Sequence, residues 1–212
     1  MASRAVPVQK LPPDDLAGFP RYRYRPGLRL WRAALTDKRP WWYCDKGDCR
    51  FDLTSPLGTC YMGTDELVGI IEAVGPHLKP GDVIASEFLD ARVLWEWPLG
   101  AALNAANLVT RSASGFGVTN ELCSMTSYHV PRAWARALQG AGHEAVRYRT
   151  RFDTGATPRG VAHFGVSGDA GERAGEQSHK IADEVRARLA DECSLKVAPP
   201  PSLSELEVAS TP

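Results

Sequence analysis

Two arginines, a tyrosine, a glutamate and a threonine carry the chemical content of this 212-residue chain. Arg50, Tyr61 and Glu72 fall in one stretch, 48–75, with Arg32 before it and the run Tyr148–Arg151, which holds Thr150, after it. Arg32 belongs to a strand-like segment, 28–35, in which Leu28, Leu30 and Arg32 share one parity. A guanidinium on an apolar face must find an anion or carbonyls, because an unpaired buried charge is costly. Its partner is either a structural carboxylate or a ligand phosphate, for which arginine offers a planar fork of donors. The segment alone does not choose between them. Glu72 lies off the apolar stripe of its own helix, on the flank of Val68. A glutamate there is either solvated or turned towards a cleft.

The elements that must hold these residues follow from periodicity and punctuation. Arg21–Pro26 alternates Arg and Tyr, as a half-exposed strand does, and Pro26-Gly27 ends it. Trp41, Trp42 and Tyr43 sit among charges and read as a loop with an apolar anchor. The turn 55–58 leads into a short strand, 59–62. Over 64–74 the spacing predicts a helix, with Thr64 as N-cap, Asp65 and Glu66 at the positive end of the dipole, and Leu67, Ile70, Ile71 and Val74 as its buried stripe. Gly75 is expected at C′, with Pro76 preventing continuation. Segments 82–87 and 91–97 read as strands, 98–106 as a short helix, and 111–118 as a Ser/Gly loop. The Gly115-x-Gly117 pair leads to Thr119-Asn120-Glu121, whose amides could face an anion, although a lone pair of glycines is a weak signal. A second helix spans 127–141, capped by Ser127, with Val130, Trp134, Leu138 and Ala141 on its apolar face. Residues 143–151 form a strand that puts Val146, Tyr148 and Thr150 on one side and Arg147, Arg149 and Arg151 on the other. A further strand, 161–166, contains His163, read as a hydrogen-bonded core residue. Ile181, Val185 and Leu189 mark a third amphipathic helix over 176–193.

Composition narrows the function classes. Lys+Arg and Asp+Glu both number 25, and a chain without a basic surplus is a poor general binder of nucleic acid. With 43% apolar residues it can bury a substantial core. No run of about 18 apolar residues is present and 1–18 has no signal-peptide core, so no membrane span and a cytoplasmic location are expected. Cys44, Cys49, Cys60, Cys123 and Cys193 are odd in number and irregularly spaced, a pattern of free thiols. No Cys or His pair at ligand spacing follows Cys44 and Cys49, so no metal is expected.

Set in order, the pieces form a pattern. Arg-Leu-Trp-Arg-Ala (29–33) is followed by Arg-Phe-Asp (50–52), Gly-Thr-Cys-Tyr (58–61) and Glu72, eleven residues past Tyr61. Then come Arg-Ala-Trp-Ala-Arg-Ala-Leu (132–138) and Val-Arg-Tyr-Arg-Thr-Arg (146–151). From about residue 25 to 165 this resembles the RES-domain family, named for an Arg, a Glu and a Ser. The resemblance implies an α/β (mixed α+β) fold similar to the ADP-ribosyltransferase toxins, with small sheets flanked by helices around an NAD+ cleft. It places the RES domain at 21–167; composition and periodicity mark a loose lead-in at 1–20, a C-terminal helix at 168–195 and a Pro/Ser-rich, disordered tail at 196–212.

Family members include toxins of toxin–antitoxin pairs that destroy NAD+, some by phosphorolysis with inorganic phosphate as co-substrate. By resemblance, Arg32 and Arg50 stand at the family's Arg positions, Tyr61 at its Tyr and Glu72 at its Glu. Thr150 stands where the family has Ser, and Asp52 where many members have Asn. Thr keeps a hydroxyl that donates and accepts. The implied roles are catalysis by Glu72, Arg32 and Thr150, and NAD+ binding by Arg32, Arg50, Tyr61 and Thr150, with an antitoxin protein as partner. The same site would serve ADP-ribosyl transfer to a protein, and the two departures also admit a silent NAD+-binding module.

Overall fold

A computed structural model describes residues 9–75, 83–152, 157 and 160–198. In chain order the strands are β1 (Arg21–Tyr24), β2 (Arg29–Leu35), β3 (Trp42–Tyr43), β4 (Leu57–Gly63), β5 (Ile84–Ala85), β6 (Arg92–Pro98), β7 (Leu103–Asn107), β8 (Ala145–Tyr148), β9 (Gly160–Val166), β10 (Gly168–Asp169), β11 (Gln177–Lys180) and β12 (Val197–Ala198). The helices are α1 (Glu66–Val74), α2 (Ser86–Asp90), α3 (Glu121–Ser124), α4 (His129–Gly140) and α5 (Asp183–Cys193), with a 3-10 turn at Arg111–Phe116.

Where small sheets are expected from the family, a large one forms. Eight strands join in the order β1-β7-β8-β9-β4-β2-β6-β11, beside two-stranded pairings of β3 with β10 and β5 with β12. The large sheet is mixed: β7 and β8 run parallel and the other neighbours antiparallel. It is also nearly two sheets. β4 pairs with β9 along its whole length and β2 with β6 along its own, yet β2 and β4 share only the pair Trp31↔Gly63.

Period-two alternation sends successive side chains to opposite faces. One face carries Leu30, Cys60, Met62, Ala105, Ala145 and Val161, packed with Trp41 and Tyr43. The other is covered in two parts. Over β7, β8 and β9, α4 contributes Trp134, Ala135 and Leu138, joined by Phe51, Val146 and Phe164. Over β2 and β6, Leu67, Ile70, Ile71 and Val74 of α1 meet Ala33, Leu94, and Ile181 and Leu189 of the C-terminal segment. Full burial of each such aliphatic side chain contributes about 1.5–3 kcal/mol. α1 straddles the line where β2 and β4 part, while α4 covers the half of the same face beyond β4.

Several local expectations are corrected. The N-cap of α1 is Asp65, not Thr64: its Oδ1 accepts from the Val68 amide at 3.0 Å. Gly75 is right-handed (φ −52°), and its lack of a side chain serves packing instead, since a Cβ there would stand 2.2 Å from the Phe152 ring. Pro76 lies outside the described residues. The strand expected at 82–87 shrinks to β5 and turns into α2, and the helix expected at 98–106 is β7. α4 begins at His129 behind Tyr128, without a side-chain cap from Ser127. The helix expected from 176 begins at Asp183. Before it, β11 adds to β6, so the chain past residue 168 returns to the main sheet. Of the tail expected to be disordered, 199–212 lie outside the described residues, as do 1–8 of the lead-in. Gln9, Leu16 and Phe19 of that lead-in are buried against the α4 side. Among the described residues no helix is long and apolar enough to cross a membrane.

Candidate active site

Where β2 and β4 part, the helical face opens into a cleft of about 380 Å³ whose lining includes Arg32, Arg50, Tyr61 and Glu72. Cys49, Tyr128, Arg151 and Phe152 also line it, with Ala33, Gly69, Ala73 and Gly75 between them. Two glycines let α1 lie directly on the parting strands. A Cβ at Gly63 would stand 2.6 Å from the Gly69 nitrogen, and one at Gly69 would stand 2.9 Å from the carbonyl carbon of Trp31. Glu72 lies one turn beyond Gly69, so this close approach lowers its carboxyl into the opening rather than leaving it above the helix.

Arg32 shares the face of Leu30, as its parity requires, and the gap beside β4 gives its guanidinium room. Nη1 donates to the Tyr61 carbonyl at 3.3 Å and to the Cys60 sulfur at 2.9 Å. The half-buried guanidinium thus finds a carbonyl and a thiol. Arg50 is carried by the loop before β4. That loop is tied down by the Arg132 guanidinium of α4, which donates to the Gly47 carbonyl at 2.8 Å, and by Asp52, which accepts from the Cys49 amide at 2.9 Å. The Arg50 guanidinium lies over the Tyr128 ring at 5.6 Å, and its buried Nε has no hydrogen-bond partner.

Tyr61 presents its ring to the cleft while its hydroxyl is fully engaged. It accepts from the Phe51 amide at 2.7 Å and donates to Asp52 Oδ1 at 3.0 Å. Asp52 is buried, and burial raises its carboxyl above the usual range although the Cys49 amide and the Tyr61 and Cys44 side chains pull it down. Burial likewise pushes the Cys49 thiol up to about 12, so it is not a thiolate nucleophile.

Glu72 keeps part of its surface open to the cleft and is otherwise enclosed. Burial raises its carboxyl above the ordinary carboxylate value; the Thr150 and Tyr148 hydroxyls, then Arg50 and Arg32, pull it back down. Those two hydroxyls come from the end of β8 and just past it, on the buried parity of Val146. They are close enough to act on the carboxyl, yet neither closes a hydrogen bond of ordinary geometry. Thr150 therefore stands behind Glu72, not on the cleft wall beside Arg32 and Arg50. The Tyr148 ring is held by Phe51 at 5.1 Å and by the backbone of Gly160, where a Cβ would come within 2.6 Å of it.

Tyr128 and Cys49 carry no sequence signal for the site. One precedes a helix and the other sits in an irregular loop, and neither position has a period to read. After Gly117 the Thr119 amide is taken: Thr119 N and Oγ1 donate to Gln9 Oε1 at 2.8 and 2.9 Å. His163 is a hydrogen-bonded core residue outside the cleft. Arg173 donates to the Tyr43 hydroxyl at 2.7 Å, the hydroxyl meets His163 Nδ1 at 2.6 Å, and burial lowers the imidazole to about 4. Among the described residues no group of three or more His, Cys, Asp or Glu is placed to hold a metal ion.

The arrangement can do specific chemistry. Two guanidiniums without salt-bridge partners among the described residues can take phosphate oxygens through charge-assisted forks. A half-buried carboxylate between them can face a developing positive charge. No protein-family model matches the sequence, and no curated protein does. Among solved structures, a chain in the crystal structure of the M. tuberculosis MbcT–MbcA toxin–antitoxin complex is similar, with a TM-score of 0.53 over 75% of this chain and 88% of that one at 14% identity. At that identity the likeness concerns the fold alone.

Proposed function

We propose that the protein is a RES-type enzyme that consumes NAD+, cleaving the bond between nicotinamide and ribose by phosphorolysis or hydrolysis, as the toxin of a toxin–antitoxin pair. The observation that carries this reading is the meeting of Glu72, Arg32 and Arg50, distant in the chain, around one cleft. The order of the RES-like motifs and the fold likeness to a chain of a toxin–antitoxin complex support it.

In this reading the dinucleotide lies with its pyrophosphate on Arg32 and Arg50 and its nicotinamide ribose at Glu72. The C1″–N1 bond breaks, and its electron pair leaves with the pyridinium nitrogen as neutral nicotinamide. Positive charge builds on the ribose, an oxocarbenium-like state of the kind met in glycoside cleavage. Glu72 stabilises that charge from its half-enclosed place on the cleft wall, where a fixed carboxylate acts more strongly than in bulk water. A phosphate oxygen then bonds to C1″ to give ADP-ribose 1″-phosphate, or water does so to give ADP-ribose and a proton. The Tyr61 ring, its hydroxyl already committed to Asp52, serves as a stacking surface. Tyr148 and Thr150 favour the ionised form of Glu72 from behind.

The test is incubation of purified protein with NAD+, with and without phosphate, followed by mass spectrometry, with Glu72→Ala as control. Release of nicotinamide by wild type alone is expected. Unchanged NAD+ in both reactions, from protein free of any co-purified partner, would sink the proposal. Label from NAD+ left on a macromolecule would mark ADP-ribosyl transfer instead.

A further inference from the structure

The cleft does not end at Arg32. A second hollow of about 320 Å³ shares Arg32, Ala33 and Ala73 with it and continues along β2. Its other charged lining residues are Lys38, Arg39 and Arg92, and among the described residues no carboxylate lines it. In a chain with equal numbers of acids and bases, such a one-signed hollow is a local feature. Among the described residues Lys38 pairs with Asp37 at 3.3 Å and Arg39 with Asp169 at 3.4 Å, in pairs open to solvent. Pairs of that kind contribute little and exchange readily for a stronger anion.

The hollow also has a flat apolar platform. Trp41 and Tyr43 are both buried at 1% exposure, whereas Trp42 between them is 48% exposed on the hollow. Strand parity requires the alternation, but the core gains nothing from an indole at the outward position. An exposed indole beside several cations suits a heteroaromatic base that carries phosphate.

Size and order point the same way. The first cleft lies at the lower end of the range for ligand sites, roughly 300–1,000 Å³, and a dinucleotide is a large ligand. Arg32, common to both hollows, stands where the pyrophosphate would cross from one to the other. Resting on the reading of the first cleft as a nicotinamide-dinucleotide site, we infer that the second hollow takes the adenosine half, with Trp42 stacked on adenine and Lys38 and Arg39 on a 2′-phosphate, so that NADP+ is preferred over NAD+. Sites selective for NAD+ place a carboxylate on the ribose 2′-hydroxyl, whereas an arginine there accommodates the 2′-phosphate. This hollow has the arginine and, among the described residues, no carboxylate in its lining.

The test compares kcat/KM for NADP+ and NAD+ in wild type, in the Lys38→Glu/Arg39→Glu double variant and in Trp42→Ala. It also measures binding of adenosine 2′,5′-bisphosphate against 5′-AMP, which needs no turnover. Wild type is expected to favour NADP+ by about tenfold or more, the scale of one charge-assisted contact. The double variant should lose that preference, mostly through KM for NADP+. Trp42→Ala should raise KM for both dinucleotides. Equal use of the two dinucleotides by wild type, or an unchanged ratio in a folded double variant, overturns the inference while leaving the NAD+ reading intact. Failure to turn over either dinucleotide overturns the reading of the first cleft, and the inference falls with it.

Discussion

Gly69 lies so close on the backbone of Trp31 that a Cβ at position 69 would stand 2.9 Å from both the Trp31 carbonyl carbon and its Cβ. This contact sets α1 on β2 at the point where β2 leaves β4, and so sets the depth of Glu72. Gly69→Ala gains helix propensity but must push the helix from a backbone that cannot yield. A net loss of about 1–3 kcal/mol is expected, together with loss of NAD+ consumption. Gly140, exposed at the end of α4 with open space around it, is the control. There, alanine should stabilise by up to about 0.5–1 kcal/mol. Thermal melts of the two variants check both signs.

Glu72 should cost the fold stability in return for its chemistry. Its carboxyl is raised above the ordinary value of 4.5, chiefly by burial, so the folded state holds the proton more tightly than the unfolded chain does. Its contribution therefore falls as pH rises from the ordinary carboxylate range through the raised value. Glu72→Gln removes the charge and keeps the shape. The variant should melt above wild type near pH 7.5, with the gap closing towards pH 4, and should not consume NAD+. Asp52 is raised in the same direction but is present in both proteins, so the difference isolates Glu72. A wild type that melts higher at neutral pH would contradict this account.

Tyr148 and Thr150 should reveal themselves in the pH profile. Both hydroxyls favour ionised Glu72, so losing either raises its carboxyl further. In Tyr148→Phe and Thr150→Val the acid limb of NAD+ consumption should move to higher pH, with the rate recovering at alkaline pH. Thr150→Ser keeps the hydroxyl and should keep the wild-type limb. A merely structural role would lower the rate equally at every pH, which assays across the range would expose.

Tyr61→Phe separates ring from hydroxyl. The variant leaves the Phe51 amide and the buried Asp52 carboxyl without their partner, at a cost of about 1–3 kcal/mol. The ring remains, so KM for NAD+ should change little in folded protein, whereas Tyr61→Ala should raise it. Denaturant melts alongside steady-state kinetics distinguish the two losses.

Much of this was legible along the chain because backbone geometry imposes local periods. Parity alone puts Arg32 on the face of Leu30 and aligns Val146, Tyr148 and Thr150, and the structure has both arrangements. The stripe Leu67, Ile70, Ile71 and Val74 marks the buried side of α1 for the same reason. Caps shifted by a residue, since Thr64 and Asp65 are both good acceptors and only the helix's entry angle selects between them. Gln177–Lys180 was unreadable as a strand because all four side chains are exposed, and pairing with β6 is made by the backbone.

The site was decided differently. Residue types and order nominated Arg32, Arg50, Tyr61 and Glu72, but their meeting depends on a sheet that nearly divides at Trp31↔Gly63. No local pattern encodes that gap, because it arises from strands that do not pair. The same holds for Tyr148 behind Glu72, for Tyr128 under Arg50, and for the basic hollow beside Trp42. The sequence set which faces the side chains occupy; only long-range packing of α1 and α4 on the two halves of one sheet made those faces converge.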